Sequence, residues 1–156
     1  MVMKGDKTKI FEDILRNHEL KVTHPRLKVL EKIFQKDTAT SQPELEKAIG
    51  KEIDRVTLYR VLNVFDEKGI IHKVFDLHGT ATYALCSTAC KTHEHHDEHA
   101  HFTCSSCNSI YCLQEIKMPK INTPLGFTIN QVTINAIGIC NKCQNLQKKT
   151  STYALQ

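Results

Sequence analysis

Residues 93–107, HEHHDEHAHFTCSSC, gather five histidines, three carboxylates and two cysteines into one short run. Side chains of these types are transition-metal ligands. The pair Cys104-x2-Cys107 is matched by Cys140-x2-Cys143 after a gap of 32 residues. Four thiolates in two such pairs suit tetrahedral zinc: each pair supplies half the shell from one tight turn, and no position stays open for chemistry. A redox C-x-x-C or buried, unliganded cysteines are the alternatives. The chain has seven cysteines, namely Cys86, Cys90, Cys104, Cys107, Cys112, Cys140 and Cys143. An odd count with repeated C-x-x-C spacing points to metal rather than to a disulfide framework. His99 and His101 alternate on a segment entering Cys104, so on a strand they share one face and suit an ordered site for zinc, iron or copper. His93, His95 and His96 read instead as a tract that scavenges metal loosely.

The elements that must position these ligands follow from periodicity. Residues 8–18 place Ile10, Ile14 and Leu15 on one helical face. Thr23 can cap a second helix with Pro25 in its first turn, carrying Leu27, Leu30, Ile33 and Phe34. Ser41-Gln42-Pro43-Glu44 is a capping box opening a third helix that stops at Gly50. Asp54 caps a fourth, whose Leu58, Val61, Leu62 and Phe65 form a stripe and which Gly69 ends. The period then changes. IIHKVFD, a turn at Leu77-His78-Gly79 and TATYALC read as a β-hairpin. Helices followed by such a hairpin predict a winged helix-turn-helix over residues 1–85. Arg55, Thr57, Tyr59, Arg60 and Asn63 lie off the stripe of the fourth helix and could meet phosphates and base edges of DNA, or simply form a solvated face. Beyond Cys86 the strands SIYCL and FTINQVTINAIGI, with Pro119 and Pro124 limiting any helix, predict a small sheet whose edges favour pairing with a second chain.

Bulk properties agree with two small domains. The chain has 156 residues, 40% hydrophobic content and no Trp, which argues against one large core. A net charge of +4 permits a nucleic-acid partner without requiring one. No apolar run approaches the roughly 20 residues of a membrane span, and MVMKGDKTKI lacks the apolar core of a signal peptide. A cytoplasmic protein with no membrane partner is expected. His96-Asp97-Glu98 with Cys104-x-x-Cys107 has a superficial likeness to the zinc-deaminase pattern. No proline precedes Cys104, however, and two further cysteines fill the shell, so no enzyme is expected.

KVTHPRLKVLEKIF, DRVTLYRVLNVFDEKGIIHKV, HAHFTCSSC and the final C-x-x-C together resemble the ferric-uptake-regulator family of bacterial metal-responsive repressors, over roughly residues 10–143. The resemblance implies an α+β homodimer: a winged helix at 1–85, a hinge at 86–98 and an α/β dimerisation and metal-binding domain at 99–156. It implies a structural zinc on Cys104, Cys107, Cys140 and Cys143, and a double-stranded DNA operator. Iron- and peroxide-sensing members use a histidine before the third helix, where DTATSQPEL has none, and an acidic residue where Ala84 stands. Zinc uptake regulators take one ligand from the first wing strand, a junction cysteine and an H-x-H, which correspond to His72, Cys86, His99 and His101. A zinc-sensing repressor with two Zn(II) per chain is therefore implied, the regulatory ion being Fe(II) if the iron- or peroxide-responsive alternative holds. A second sensory site of some members has Ala100 and Val132 at its positions here. Cys112 stands where relatives often carry a ligating glutamate, and Cys90, Cys112 and His96 are possible extra ligands.

Overall fold

The computed structural model describes residues 4–86, 99–117, 119–129 and 132–146. The chain divides into two compact units, Met1–Asp97 and Glu98–Gln156. All but Cys86 of the expected hinge at 86–98 lies outside the described residues.

In the first unit, helices α1 (Lys4–Asn17), α2 (His24–Phe34), α3 (Gln42–Ile49) and α4 (Arg55–Glu67) accompany strands β1 (Thr40–Ser41), β2 (Ile71–Phe75) and β3 (Ala81–Leu85). The strands form an antiparallel sheet in the order β1-β3-β2. Local chemistry sets the helix boundaries. Glu44 N–H donates to Ser41 Oγ at 3.4 Å while Ser41 N–H donates to Glu44 Oε2 at 2.9 Å, a reciprocal box that starts α3. Gly50, at φ +66°, ends it. The Asp54 carboxylate accepts from Thr57 N–H at 2.9 Å and starts α4. The tip between β2 and β3 is tied by Asp76 Oδ1, which accepts from His78 N–H at 2.8 Å and Thr80 N–H at 2.7 Å.

Leu58, Val61, Leu62 and Phe65 are all buried, as their spacing predicts. They join Leu15, Val29, Leu30, Ile33, Leu45 and Ile71 in one core. Elsewhere the structure corrects the expected faces. On α1, Leu15 is buried and Ile14 partly buried against the core as expected, but Ile10 is exposed and Phe11 takes its place in the core. On α2, Phe34 is exposed and Val29 buried; the Phe34 ring instead meets Phe11 edge-on at 5.3 Å. Thr23 occupies the N-cap position of α2 but makes no side-chain capping bond. Strand β1 was not anticipated, because two residues are too few for a periodic signal.

The second unit is a sheet in the order β5-β4-β6, built from β4 (His99–Cys104), β5 (Ile110–Lys117) and β6 (Ile134–Gly138). β5 runs antiparallel to β4, and β6 parallel to it. Among its described residues, the expected long strand FTINQVTINAIGI is regular only in β6. Upstream, Phe127 N–H donates to Pro124 O at 3.1 Å across a turn with Gly126 at φ +83°, which fits a type II geometry. Residues 141–146 are helical. Gly138 lies so near Phe102 that a Cβ there would approach its ring at 3.1 Å.

Truncating the fully buried Leu62 to Ala should lower unfolding free energy by about 2–5 kcal/mol. Ser41→Ala, which removes only the α3 cap, should cost about 1 kcal/mol. Urea denaturation of the two variants, followed by circular dichroism, checks both the values and their order.

Candidate metal centres and nucleic-acid face

The ladder between β4 and β6 brings the two C-x-x-C pairs together. Cys104 ends β4 beside Gly138, and the chain reaches Cys140 two residues later. Cys140 N–H donates to Cys104 Sγ at 3.3 Å, and Ser105 N–H donates to Gly138 O at 2.7 Å. The first pair is folded into a tight turn by Asn108 N–H donating to Cys104 O at 2.8 Å, with Asn108 itself at φ +57°. The sulfurs of Cys104, Cys107, Cys140 and Cys143 all lie within 4.8 Å of one another. Zn–S bonds of about 2.3 Å at tetrahedral angles require an S···S edge of about 3.8 Å. The Cys107–Cys140 separation is 3.9 Å. The donor set and its spacing therefore fit a closed zinc shell.

The thiols also perturb one another. Cys104 is lowered to about 6, chiefly by the backbone N–H of Cys140 and despite burial. At Cys143 the Ser106 side chain lowers the thiol, but Cys107 and Cys140 outweigh it and push it up to about 12. A cluster in which one thiol ionises readily and another resists is short of positive charge, which a divalent cation supplies.

The histidines form a second group within the C-terminal unit. His99 and His101 are buried on β4, their rings 4.7 Å apart at 56°. Cys112 on β5 is the cross-strand partner of His101, and the ligand atoms of His99, His101 and Cys112 lie within 4.8 Å of one another. Burial, then the neighbouring His99, hold His101 at about 4. Its imidazole is therefore neutral near pH 7, the form that binds metal. Cys112 was only an accessory candidate from sequence. The signal that could have raised it is the antiparallel pairing of SIYCL with HAHFT, which puts Cys112 on the histidine face.

In the N-terminal unit, His72 is buried on β2 opposite Ala84. Cys86 follows β3, with its N–H donating to Ile70 O at 3.0 Å. Cys86 Sγ stands 3.6 Å from His72 Nδ1. That is also the edge of about 3.6 Å that a tetrahedral zinc with one sulfur and one nitrogen ligand would span. Cys90 and His96 lie outside the described residues.

On α4, Arg55, Tyr59, Arg60 and Asn63 are exposed, opposite the buried stripe. Val56, more than half exposed, belongs to the same arc and was missed because an isolated apolar residue reads as core. Thr57 falls at its flank, and its hydroxyl donates to Asp54 Oδ2 as part of the cap. Arg55 Nε pairs with Glu46 at 3.2 Å. Among the described residues no helix is long and apolar enough to cross a membrane.

Comparison with known proteins is consistent across sequence and structure. The model of the ferric uptake regulator family matches residues 17–137. The ferric uptake regulation protein of Vibrio vulnificus is 32% identical over 134 residues, covering 83% of this chain and 85% of the relative. That of Bordetella parapertussis is 32% identical over 140 residues, covering 83% and 94% respectively. Among solved structures, a zinc uptake regulator complexed with zinc and DNA has a TM-score of 0.67 at 24% identity, covering 95% of this chain and 99% of that one, a likeness of fold. The Vibrio cholerae ferric uptake regulator has a TM-score of 0.55 at 25% identity, covering 83% and 98%.

Two outcomes are expected of these sites. Cys104→Ser or Cys140→Ser breaks the four-sulfur cluster and should lower both the zinc content of the purified chain and its melting temperature, measured by elemental analysis and calorimetry. For protein freed of metal at the histidine group, His101 has a lowered folded-state pKa of about 4 against 6.5 unfolded. The unfolded chain then binds the extra proton between those values, so stability is greatest above pH 6.5 and falls as pH drops toward 4. Thermal melts across that window should show the decline, and His101→Gln should flatten it.

Proposed function

This chain belongs to the ferric uptake regulator family, and on that footing we propose that it is a zinc-sensing transcriptional repressor that binds a palindromic operator as a cytoplasmic homodimer. The observation that carries the choice of metal is the 3.6 Å approach of the Cys86 thiol to His72 Nδ1. A thiolate with imidazoles favours zinc over iron(II), for which harder oxygen donors are more usual. In this reading Cys104, Cys107, Cys140 and Cys143 hold a structural zinc, and His72, Cys86, His99 and His101 hold the regulatory one. A specific observation favours a second reading, iron or peroxide sensing: the curated relatives at 30–38% identity are named ferric uptake regulation proteins.

The regulatory ligands come from both units. When bound, the ion supplies a positive centre with fixed ligand directions. His72 and Cys86 on one unit and His99 and His101 on the other can all ligate only in one relative orientation of the two. That is the differential affinity a population shift requires. Moving the DNA-competent form from 1% to 99% asks for about 5.5 kcal/mol, below the roughly 10–16 kcal/mol available at structural zinc sites.

The N-terminal unit then acts as a winged helix-turn-helix with α4 as its recognition helix. Tyr59, Arg60 and Asn63 offer hydrogen bonds to phosphates and base edges, and Val56 offers an apolar contact suited to a thymine methyl. In a homodimer two such helices meet half-sites of one palindrome. Dimerisation is supported by the open edges of the β5-β4-β6 sheet and by exposed Ile116, Ile129 and Ile137 on the C-terminal unit.

The test is operator binding in metal-buffered solution, with free Zn(II) and anaerobic Fe(II) titrated separately against protein retaining its structural zinc. Zinc at trace free concentration should drive binding. Cys86→Ala and His99→Ala should abolish that response while the dimer persists in sedimentation. A Cys86→Ala variant that responds like the parent would refute this ligand set. A response to iron alone would install the second reading.

A further inference from the structure

Arg55 is the first residue of α4, directly after the capping Asp54. The first turn of a helix carries the positive end of its dipole, so a guanidinium there is disfavoured by its own helix. The Asp54 carboxylate is already engaged by the backbone and hydroxyl of Thr57, and no other acidic side chain stands in that turn. Compensation comes from the preceding helix: Glu46 of α3 meets Arg55 Nε at 3.2 Å. The same carboxylate oxygen accepts from Gln42 Nε2 at 3.0 Å, which orients it. The Arg55 side chain is still 80% exposed, against 32% for Glu46. An exposed pair of this kind contributes little to stability and opens readily. Stability alone therefore does not account for a cation at the mouth of α4, whereas a second partner for it would.

We propose that Arg55 is a base-reading residue held in reserve, latched by Glu46 in the free protein and handed over to a guanine in the major groove of each operator half-site. N-terminal residues of a recognition helix are the ones that reach base edges. A guanidinium paired with guanine O6 and N7 is the commonest specific contact of this kind. Glu46 makes the exchange selective. Where the half-site offers guanine, two parallel hydrogen bonds replace the ion pair. Where it offers another base, the guanidinium stays on Glu46 instead of settling on a phosphate, a contact that would strengthen binding to every sequence alike. Arg55 is then a specificity-determining residue, and Glu46 a positioning residue that sharpens the choice without touching DNA. This deepens the operator-binding reading and rests on it, but holds whether zinc or iron activates the protein.

The test is selection of duplexes from a random pool by the full-length protein, supplied with Zn(II) or, anaerobically, with Fe(II). Selected sites are then titrated with single base changes at several salt concentrations. The parent should select a guanine at one symmetric position in each half-site, and replacing it should weaken binding by about 5- to 150-fold. Arg55→Ala should erase the preference at that position and leave the others. Arg55→Lys, which keeps the charge but not the planar fork, should erase most of it as well. Glu46→Gln should tighten binding to sites lacking that guanine and shrink the discrimination. It should also steepen the salt dependence at those sites by about 0.9 in log K per unit of log salt, the mark of one more neutralised phosphate. An Arg55→Ala variant weakened equally on all sequences, with a salt slope lower by about one, would overturn the proposal and make Arg55 a phosphate contact. So would unchanged discrimination and slope in Glu46→Gln. If neither ion lets the parent retain any duplex, the operator-binding reading falls and takes this one with it.

Discussion

The C-terminal unit depends on the parallel pairing of β4 with β6. Ala100 through Cys104 pair in step with Ile134 through Gly138, joining segments far apart in sequence. A parallel pair cannot be closed by a short turn, and here the connection contains an irregular, proline-punctuated stretch rather than a covering helix. Few large apolar side chains are buried in this unit; Ile110 is the main one among the described residues. Burial alone thus supplies little to hold the two strands in register. Where β4 and β6 end, Cys140 N–H on Cys104 Sγ and Ser105 N–H on Gly138 O join the two segments, and the four sulfurs gathered there are spaced as a shared zinc ion would require.

The same strand serves both chemistries. β4 begins with the two buried imidazoles and ends with Cys104. Its alternation sends His99 and His101 to one face, and its length keeps them apart from the four-sulfur cluster. Four thiols gather at the end of the strand, while a mixed group of two imidazoles and the Cys112 thiol sits at its other end. The contrast follows from ligand type and coordination number, not from any difference in fold.

Much of the N-terminal unit was legible because its signals are local. The box at Ser41 and Glu44, the cap at Asp54 and the four-residue stripe of α4 each lie within one or two turns of helix. The errors came where tertiary packing chose between neighbouring apolar residues: Phe11 over Ile10 and Val29 over Phe34, the exposed Phe34 resting on the edge of Phe11. Strand β1 escaped because its pairing partner, β3, is some forty residues on. In the C-terminal unit the C-x-x-C spacing was legible by itself, whereas Cys112 entered only through the family resemblance, as a possible extra ligand. Which residue stands opposite His101 depends on strand register, and register is a long-range property that spacing within one strand cannot encode.

The hairpin of the N-terminal unit has one further consequence. Its pairing runs from Ile71 with Leu85 at the open end to Phe75 with Ala81 near the tip. His72 and Cys86 sit at that open end, and the bend is tied off separately by the Asp76 carboxylate. Residues added or removed between Phe75 and Ala81 would therefore change the reach of the tip without altering how His72 faces Cys86. Hairpin-tip length and the spacing of His72 from Cys86 are independent variables in this architecture, so one could be lengthened while the other stays as it is.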